Sequence, residues 1–458
     1  MDPDKHIRRL IWAYLILLLT EGALRKWVLP GLADVLLIVR DPVVLLIYAL
    51  ALARGVFPAN GFIAAIALLA VGSVAGSLLA GQHNLIVMLY GLRINYLHLP
   101  LIWIMAQVLD RNDVQRIGTV VLLTALPMTY VMVQQFRSPM NAFINRGVGD
   151  AEFGQIFGAD GRIRPPGLFA FITGPQLFLP LAAAFFLHQA GVQRRLPWLI
   201  LLATGGAIAI ALPVSISRTV VLATGIVGIA FVGALPFTGE RGGTVFRTVL
   251  IMGVLMLGLS FLPVFHEGRD VFLQRWTTAA TGTDGDAWGG IRGRLLAGVM
   301  QPFQVMARAP LFGSGIGVGS NVGARLLSGR VGFLLAEDEW SKVILELGPL
   351  LGPAFLLLRV ALTAYLGIVA LRTLLVEREP LPLLLFAAVG FAVLQYQWGP
   401  PTVLGFAVFG SGLVLAALKP VPVESDALEP PVESTPTPDL VLSPSPYRPP
   451  AAPKLRPI

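Results

Sequence analysis

Four places within long apolar runs of this chain carry ionisable side chains, and these are the first candidates for chemistry. They are Glu21, the neighbours Arg40 and Asp41, Arg93, and Glu346. A charge surrounded by hydrocarbon is unfavourable, so such residues usually face a partner or a water-filled cavity. Glu21 and Arg25 are four residues apart and can pair on one helix face, and Arg40 and Asp41 are expected to neutralise each other. Arg93 has no acidic residue close in sequence, so we expect a cavity or a distant partner for it.

A second group of candidates is the set of arginines between residues 265 and 339. These are Arg269, Arg275, Arg292, Arg294, Arg308, Arg325 and Arg330. The planar guanidinium binds phosphate through two parallel hydrogen bonds, so such a group suits an anionic ligand. Residue type alone says little here, because only five of the 34 basic residues of the chain are lysines. The position of the group in one long connection is the more informative feature.

The composition excludes several other kinds of site. The chain has no cysteine, which excludes disulfides, thiol catalysis and thiolate-bound zinc or iron–sulfur clusters. Its five histidines are scattered without a metal-binding spacing, so no metal and no cofactor are expected. The net charge of +8 would suggest nucleic acid in a soluble protein. Here the basic residues lie mostly in short loops between apolar runs, as they do in membrane proteins, and no nucleic-acid partner is expected.

The elements that must position these residues are membrane-spanning helices. Hydrophobic residues make up 55% of the chain and charged residues 13%, with a mean hydropathy of +0.75. Soluble domains have roughly 25% charged residues, so the sequence predicts an all-α, polytopic membrane protein with about twelve spans. The predicted spans are 9–29, 33–53, 62–79, 85–108, 117–133, 168–187, 197–213, 219–235, 249–264, 343–371, 382–396 and 402–418.

The distribution of basic residues predicts the orientation. With the N-terminus in the cytoplasm, each inner connection carries a basic residue, whereas the outer connections at 81–84 and 397–401 carry none. The basic residues of the inner connections are Arg54, Arg111, Arg116, Arg194, Arg195, Arg241, Arg247, Arg372, Arg378 and Lys419. Both termini are therefore expected in the cytoplasm. The predicted regions are spans one to nine (1–264), a long periplasmic loop with short helices (265–339), spans ten to twelve (340–419) and a disordered, proline-rich cytoplasmic tail (420–458).

Short motifs follow one another along the predicted outer side. They are Arg-Pro-Pro-Gly-Leu-Phe at 164–169, Ser217 with Arg218, Arg294 ahead of Pro-Leu-Phe-Gly-Ser-Gly at 310–315, and Glu337 ahead of Glu-Leu-Gly at 346–348. Their order and spacing resemble those of the bacterial O-antigen ligase and polysaccharide polymerase superfamily. The resemblance covers roughly residues 1–419 and includes Glu-Gly-Ala-Leu-Arg-Lys-Trp at 21–27. One departure is that Glu337 stands where the family usually has histidine.

The resemblance implies a GT-C-like membrane glycosyltransferase of the bacterial inner membrane that works without a metal or cofactor. Its donor is implied to be an oligosaccharide on a polyprenyl diphosphate, and its partners the membrane lipid, a flippase and a chain-length regulator. The implied ligands of the donor diphosphate are Arg164, Arg218, Arg292 and Arg294, with Arg218 and Arg294 also catalytic. The implied base that activates the acceptor hydroxyl is Glu337. The residues expected to support this site are Glu21, Arg25, Arg93, Asp338, Glu339 and Glu346, with Asp338 and Glu339 able to replace Glu337 as the base.

Three alternatives remain open from the sequence. A ligase would transfer the glycan to a lipid core or protein instead of polymerising repeat units. A flippase or transporter of lipid-linked sugar would show short loops, repeats and interrupted helices. A non-catalytic scaffold for envelope assembly would suit the predicted tail. The glycines at 313–319 do not follow a strand, so we expect a flexible turn beside the lipid surface and no dinucleotide site.

The orientation can be tested with reporter fusions. A reporter enzyme that is active only in the periplasm should give a signal when it is fused to the chain after Gly285 or Ser320. Fusions after Arg195, Gly243 or Ser434 should give signal with a reporter active only in the cytoplasm, because the basic connections hold those segments inside. A cytoplasmic signal at Gly285 would contradict the placement of the whole long loop.

Overall fold

The computed structural model describes residues 4–148, 155, 157–238, 253, 258, 260–281, 300–329, 332 and 334–419. Chain contacts divide the protein into Met1–Val421 and Pro422–Ile458, and the predicted tail lies outside the described residues. Throughout the described ranges the regular elements are helices, with one isolated β-bridge between Phe157 and Ile163. The all-α prediction is confirmed.

The helices follow one another with short connections through most of the chain. They are α1 Lys5–Ala23, α2 Ala33–Leu36, α3 Asp41–Ala53, α4 Gly61–Leu79, α5 Leu85–Leu92, α6 Leu101–Val108, α7 Arg111–Arg137, α8 Thr173–Gly191, α9 Trp198–Val214, α10 Arg218–Ala234, α11 Pro263–Thr281, α12 Asn321–Ser328, α13 Glu339–Glu377, α14 Leu381–Leu394 and α15 Pro401–Ala416. The stretch predicted as a long loop contains α11 and α12, although α11 begins two residues before the predicted boundary.

Six helical stretches are long and apolar enough to cross a membrane. They are Pro30–Ala53, Gly61–Leu79, Leu85–Val108, Arg111–Arg137, Arg218–Phe237 and Glu339–Glu377. Shorter apolar helices are Trp198–Val214, Leu381–Leu394 and Pro401–Ala416. The length and composition of the six suit a membrane protein. The count of twelve spans stays a prediction, and the predicted span 249–264 lies mostly outside the described residues.

The centre of the bundle is α15, in which every residue is buried. It packs against α14, α6 and α8. Glycines on α15 face larger groups on its neighbours, and a Cβ at Gly410 would lie 2.4 Å from the side chain of Val389 and one at Gly412 2.6 Å from Met105. Small residues of this kind let helix backbones approach closely where lipid provides little drive for association.

The connections between helices contact one another at two ends of the bundle. The contacts are Arg8 with Asp113 and Arg111 with Glu377 at the end predicted to be cytoplasmic, and Lys26 with Gly167 and Gln397 with Glu337 at the other. Each pair joins segments that the charge pattern places on the same side. The membrane side itself stays a prediction.

Three predicted spans are not continuous α-helices. α1 ends in a π-turn at Leu24–Val28, a turn at 37–40 separates α2 from α3, and a π-turn at Arg93–Leu97 separates α5 from α6. Each interruption carries at least one basic residue, which is Arg25 with Lys26 in the first, Arg40 in the second and Arg93 in the third. Irregular backbone at membrane depth is tolerated where it faces the protein interior, and π-turns often mark functional positions.

The glycine-rich segment 313–319 is packed, and the prediction of a flexible turn beside the lipid is wrong. Most of its residues are buried. The amide of Gly315 donates to the carbonyl of Glu346 at 3.0 Å, and a Cβ on Gly313 would lie 2.3 Å from that oxygen. The segment fits against α13 where that helix kinks at Gly348, whose φ is 79° and ψ 175°. Glycine here permits close backbone contact.

Substitution at the kink should destabilise the protein. Gly348→Ala places a Cβ 2.3 Å from the carbonyl oxygen of Leu311 and forces a conformation that only glycine adopts readily. We expect a loss of roughly 1–3 kcal/mol or more in the free energy of unfolding. The control is Gly225→Ala in α10, where nothing lies within 4 Å of the added Cβ. Thermal unfolding of the detergent-solubilised variants, followed by tryptophan fluorescence, measures both, and equal midpoints would contradict the strained contact.

Candidate functional site

A chain of buried polar contacts begins where α1 gives way to its π-turn. One oxygen of Glu21 accepts from Nη1 of Arg25 at 3.1 Å, and the other accepts from Nε of Arg40 at 3.3 Å. Arg40 also donates to the Tyr14 hydroxyl at 3.0 Å and to the carbonyl of Pro401. All the guanidinium nitrogens of Arg40 are therefore used, and its side chain is only 1% exposed.

The same chain continues through Tyr14 to the second and third interruptions. The Tyr14 hydroxyl lies 3.1 Å from Nδ1 of His98, and Nε2 of His98 lies 3.0 Å from Oδ1 of Asp41. The other oxygen of Asp41 accepts from Nε of Arg93 at 2.5 Å. Nη2 of Arg93 donates to the carbonyl of Leu37 at 2.9 Å. These contacts form one network, which we call the N-terminal charge network: Tyr14, Glu21, Arg25, Arg40, Asp41, Arg93 and His98.

Two of the sequence-based pairings are confirmed. Glu21 pairs with Arg25 across the junction of α1 and its π-turn, and Arg93 has a distant partner in Asp41. Arg40 and Asp41 lie within electrostatic range of each other but form no ion pair together. Each instead meets a partner from another helix. The sequence analysis missed Tyr14 and His98, for which the only signal was polarity within an apolar run.

Two of the separated sequence motifs meet at the carbonyl of Gly167. Lys26 is fully buried, and its Nζ donates to this oxygen at 2.8 Å. Gln135 of α7 binds the same residue twice, donating to its carbonyl at 3.2 Å and accepting from its amide at 2.8 Å. Gly22 packs so closely on this segment that a Cβ would lie 2.2 Å from the amide nitrogen of Ala170. The motif at 21–27 and the motif at 164–169 therefore form one unit.

The predicted diphosphate ligands Arg164 and Arg218 lie on neighbouring segments. The loop before Arg164 packs against the segment that leads into α10, and a Cβ on Gly158 would lie 2.9 Å from Cδ1 of Ile216. Arg218 is the first residue of α10, two positions after Ile216. Arg275 of α11 donates to the carbonyl of Gly158 at 2.8 Å. This loop is thus bordered by three arginines.

The acidic residues at the start of α13 have different surroundings. Asp338 caps the helix by accepting from the amide of Ser341 at 2.8 Å. Glu339 is 2% exposed and accepts from Nη1 of Arg359 at 2.8 Å. Glu337 is exposed, and its carboxylate makes no hydrogen bond with the part of the chain that the structure describes. Of these three, only Glu337 is left available to a substrate.

Glu346 fastens the glycine-rich segment to α13. Its carboxylate accepts from the amide of Gly319 at 2.7 Å, and the side chain is 1% exposed. On the other side of the segment, Ser77 of α4 accepts from the amide of Ile316 at 2.8 Å. Glu346 therefore positions the glycine-rich segment, which precedes the acidic residues in the chain.

The remaining predicted ligands, Arg292 and Arg294, lie outside the described residues, and their role stays a prediction. Within the described ranges, no three His, Asp or Glu side chains are grouped to hold a metal ion. Compared with protein-family models, curated proteins and solved structures, the chain matches none. The likeness to the O-antigen superfamily accordingly stays a resemblance of motifs.

The carboxylates at 337 and 339 should differ sharply in their effect on stability. Glu339→Gln leaves Arg359, which is 1% exposed, without its counter-charge. Breaking a buried ion pair on one side typically costs about 3–5 kcal/mol, so the unfolding midpoint should fall strongly. Glu337→Gln, at an exposed carboxylate, is the matched control and should leave the midpoint unchanged. Thermal unfolding in detergent measures the midpoints of both variants. A larger fall for Glu337→Gln than for Glu339→Gln would contradict the assigned environments.

Proposed function

We propose that the chain is a membrane glycosyltransferase that extends exopolysaccharide or O-antigen repeat units on a polyprenyl diphosphate at the outer face of the bacterial inner membrane. The observation that carries the proposal is that motifs far apart in the sequence contact one another in pairs. Lys26 binds the motif at 164–169 through Gly167, and the glycine-rich segment binds the kink of α13 beside Glu346. These segments are the ones on which the resemblance to the superfamily rests.

The proposed reaction joins an acceptor sugar to the anomeric carbon of the donor. The acceptor oxygen forms a bond to that carbon while the bond from the carbon to the diphosphate oxygen breaks, and the diphosphate leaves with the electron pair. The proton of the acceptor hydroxyl passes to the carboxylate of Glu337, acting as general base. Arginines Arg164, Arg218, Arg292 and Arg294 bind the leaving group and stabilise its growing negative charge.

The surroundings of Glu337 support its role over that of its neighbours. Asp338 is used as a helix cap and Glu339 as the counter-ion of Arg359. A base must be free to accept a proton from the acceptor, and a carboxylate already held by a buried guanidinium is a weaker base. Glu337 meets this requirement and precedes a helix fixed at its first turn.

A lipid-linked sugar flippase is the second candidate, and one observation favours it. Interrupted helices with charged residues at the breaks are typical of transporters, and they occur here at Leu24–Val28 and Arg93–Leu97. A flippase moves its substrate without forming a glycosidic bond. Product analysis with purified protein and lipid-linked donor separates the two, because only the glycosyltransferase lengthens the glycan. The same analysis with a lipid-core acceptor separates polymerase from ligase.

The proposed roles can be tested with purified protein, donor and acceptor. Glu337→Gln should lower the transfer rate by about 10²–10⁴, the usual effect of removing a positioned base. Arg218→Ala and Arg294→Ala should abolish transfer, and Arg218→Lys should recover part of it, since an ammonium lacks the two-pronged geometry. Glu337→His should keep partial activity with a shifted pH dependence.

The matched control is Arg308→Ala, which removes an exposed arginine of the same connection outside the motifs. Its transfer rate should be close to that of the wild type. An unchanged turnover rate for Glu337→Gln would remove Glu337 as the base. Wild-type transfer by both Arg218→Ala and Arg294→Ala would remove the proposed diphosphate site.

A further inference from the structure

The N-terminal charge network holds more positive than negative side chains. Its carboxylates are Glu21 and Asp41, and its guanidinium groups are Arg25, Arg40 and Arg93. Arginine stays protonated in proteins, so the guanidinium groups outnumber the carboxylates even when both acids are ionised. The three arginines are 7%, 1% and 7% exposed. One buried positive charge therefore has no counter-charge in the network.

Lys26 follows Arg25 in the same π-turn. It is fully buried, and its Nζ donates to the carbonyl of Gly167. None of the ion pairs among the described residues includes Lys26. Burial of charge without a counter-charge is strongly unfavourable. A bound anion would supply the missing negative charge.

Two hydrogen-bond donors beside the excess charge are also unused. Nη1 of Arg93 is buried without a hydrogen-bond partner, although the other nitrogens of that guanidinium bind Asp41 and Leu37. Nε1 of Trp27 is likewise buried without a partner, and its ring lies 4.2 Å from Nζ of Lys26. Buried donors of native proteins are nearly always satisfied, so each exception calls for a reason.

Tyr90 lies beside two arginines of the network. Its ring lies 5.4 Å from the guanidinium carbon of Arg93, and it also lies within electrostatic range of Arg25. Tyr90 is half-buried, and the side chain of Asp41 is 13% exposed. The Tyr90 hydroxyl donates to the carbonyl of Gly399 at 3.4 Å, which ties Tyr90 to the connection before α15.

We propose that Arg25 and Arg93 form a binding site for a phosphate oxyanion, either a free phosphate compound or the phosphate of a lipid headgroup. A phosphate group offers several acceptor oxygens in a geometry that guanidinium donors match, and it carries the negative charge that the network lacks. Binding at this site stands whether or not the chain transfers sugars.

Calorimetric titration of the purified, detergent-solubilised protein tests the site with two probes, inorganic diphosphate and farnesyl diphosphate. Both carry the oxyanion, and only the second carries an isoprenoid chain. The double variant Arg93→Gln/Asp41→Asn removes the ion pair as a unit, so neither partner is left as a buried, unpaired charge. It should bind at least about tenfold more weakly, the effect of losing a charged hydrogen bond.

The single variant Asp41→Asn distinguishes binding from a purely structural role. It removes the carboxylate that competes with the anion for Arg93, so affinity for the probes should be tighter than that of the wild type. If the pair has a purely structural role, Asp41→Asn should leave the affinity for the probes unchanged. This variant also decides the matter if the double variant fails to fold, which its thermal unfolding would reveal.

The matched control is Arg325→Gln/Asp34→Asn, which makes the same changes in an exposed pair 3.0 Å apart. Its affinity should equal that of the wild type, and the measurement is of binding alone, so failure of the proposed transfer reaction leaves this test unaffected. Tighter binding of farnesyl diphosphate supports a lipid headgroup, and equal binding supports a free phosphate compound. Absence of binding of either probe to the wild type, or unchanged affinity of the double variant, would overturn the site.

Discussion

The neutralisation of Arg40 inside the bundle is the interaction on which the rest of the structure depends. Its guanidinium lies against the central helix α15 so closely that a Cβ on Gly405 would be 2.1 Å from Nη1. A charge at this depth is tolerated only with good partners, and Glu21, Tyr14 and the carbonyl of Pro401 provide them. The end of α1, the start of α3 and the start of α15 are therefore fixed together by one side chain.

The interruptions of the helices follow from the same constraint. A continuous α-helix keeps its backbone groups bonded within itself, whereas a break leaves carbonyls available to cations. Arg25 uses the carbonyl of Ala33 at the start of α2, and Arg93 uses that of Leu37 in the break between α2 and α3. The breaks are thus part of how buried cations are solvated by the protein itself.

The sequence predicted the helices and the pair of Glu21 with Arg25, because the length of an apolar run and a spacing of four residues are local signals. It did not predict that Lys26 binds Gly167, since a contact across 141 residues leaves no pattern in a single chain. The glycine-rich segment was misjudged for a related reason. Glycines permit both a flexible turn and close packing, and only the kink of α13 at Gly348 shows which applies. Of the candidate site, the sequence indicated the segments involved but could not separate the exposed Glu337 from its engaged neighbours.

Three hydrogen bonds join α13 and the residues before it to the end of α14 and the connection before α15. Trp340 donates to the carbonyl of Leu394 at 3.0 Å, Arg359 donates to that of Tyr396 at 2.8 Å, and Gln397 donates to that of Glu337. Because of these three hydrogen bonds, a displacement of either segment also displaces the other. The position of the Glu337 backbone is therefore set by a segment about 60 residues away, and a change in the length of that distant turn would displace the carboxylate without altering its own sequence surroundings.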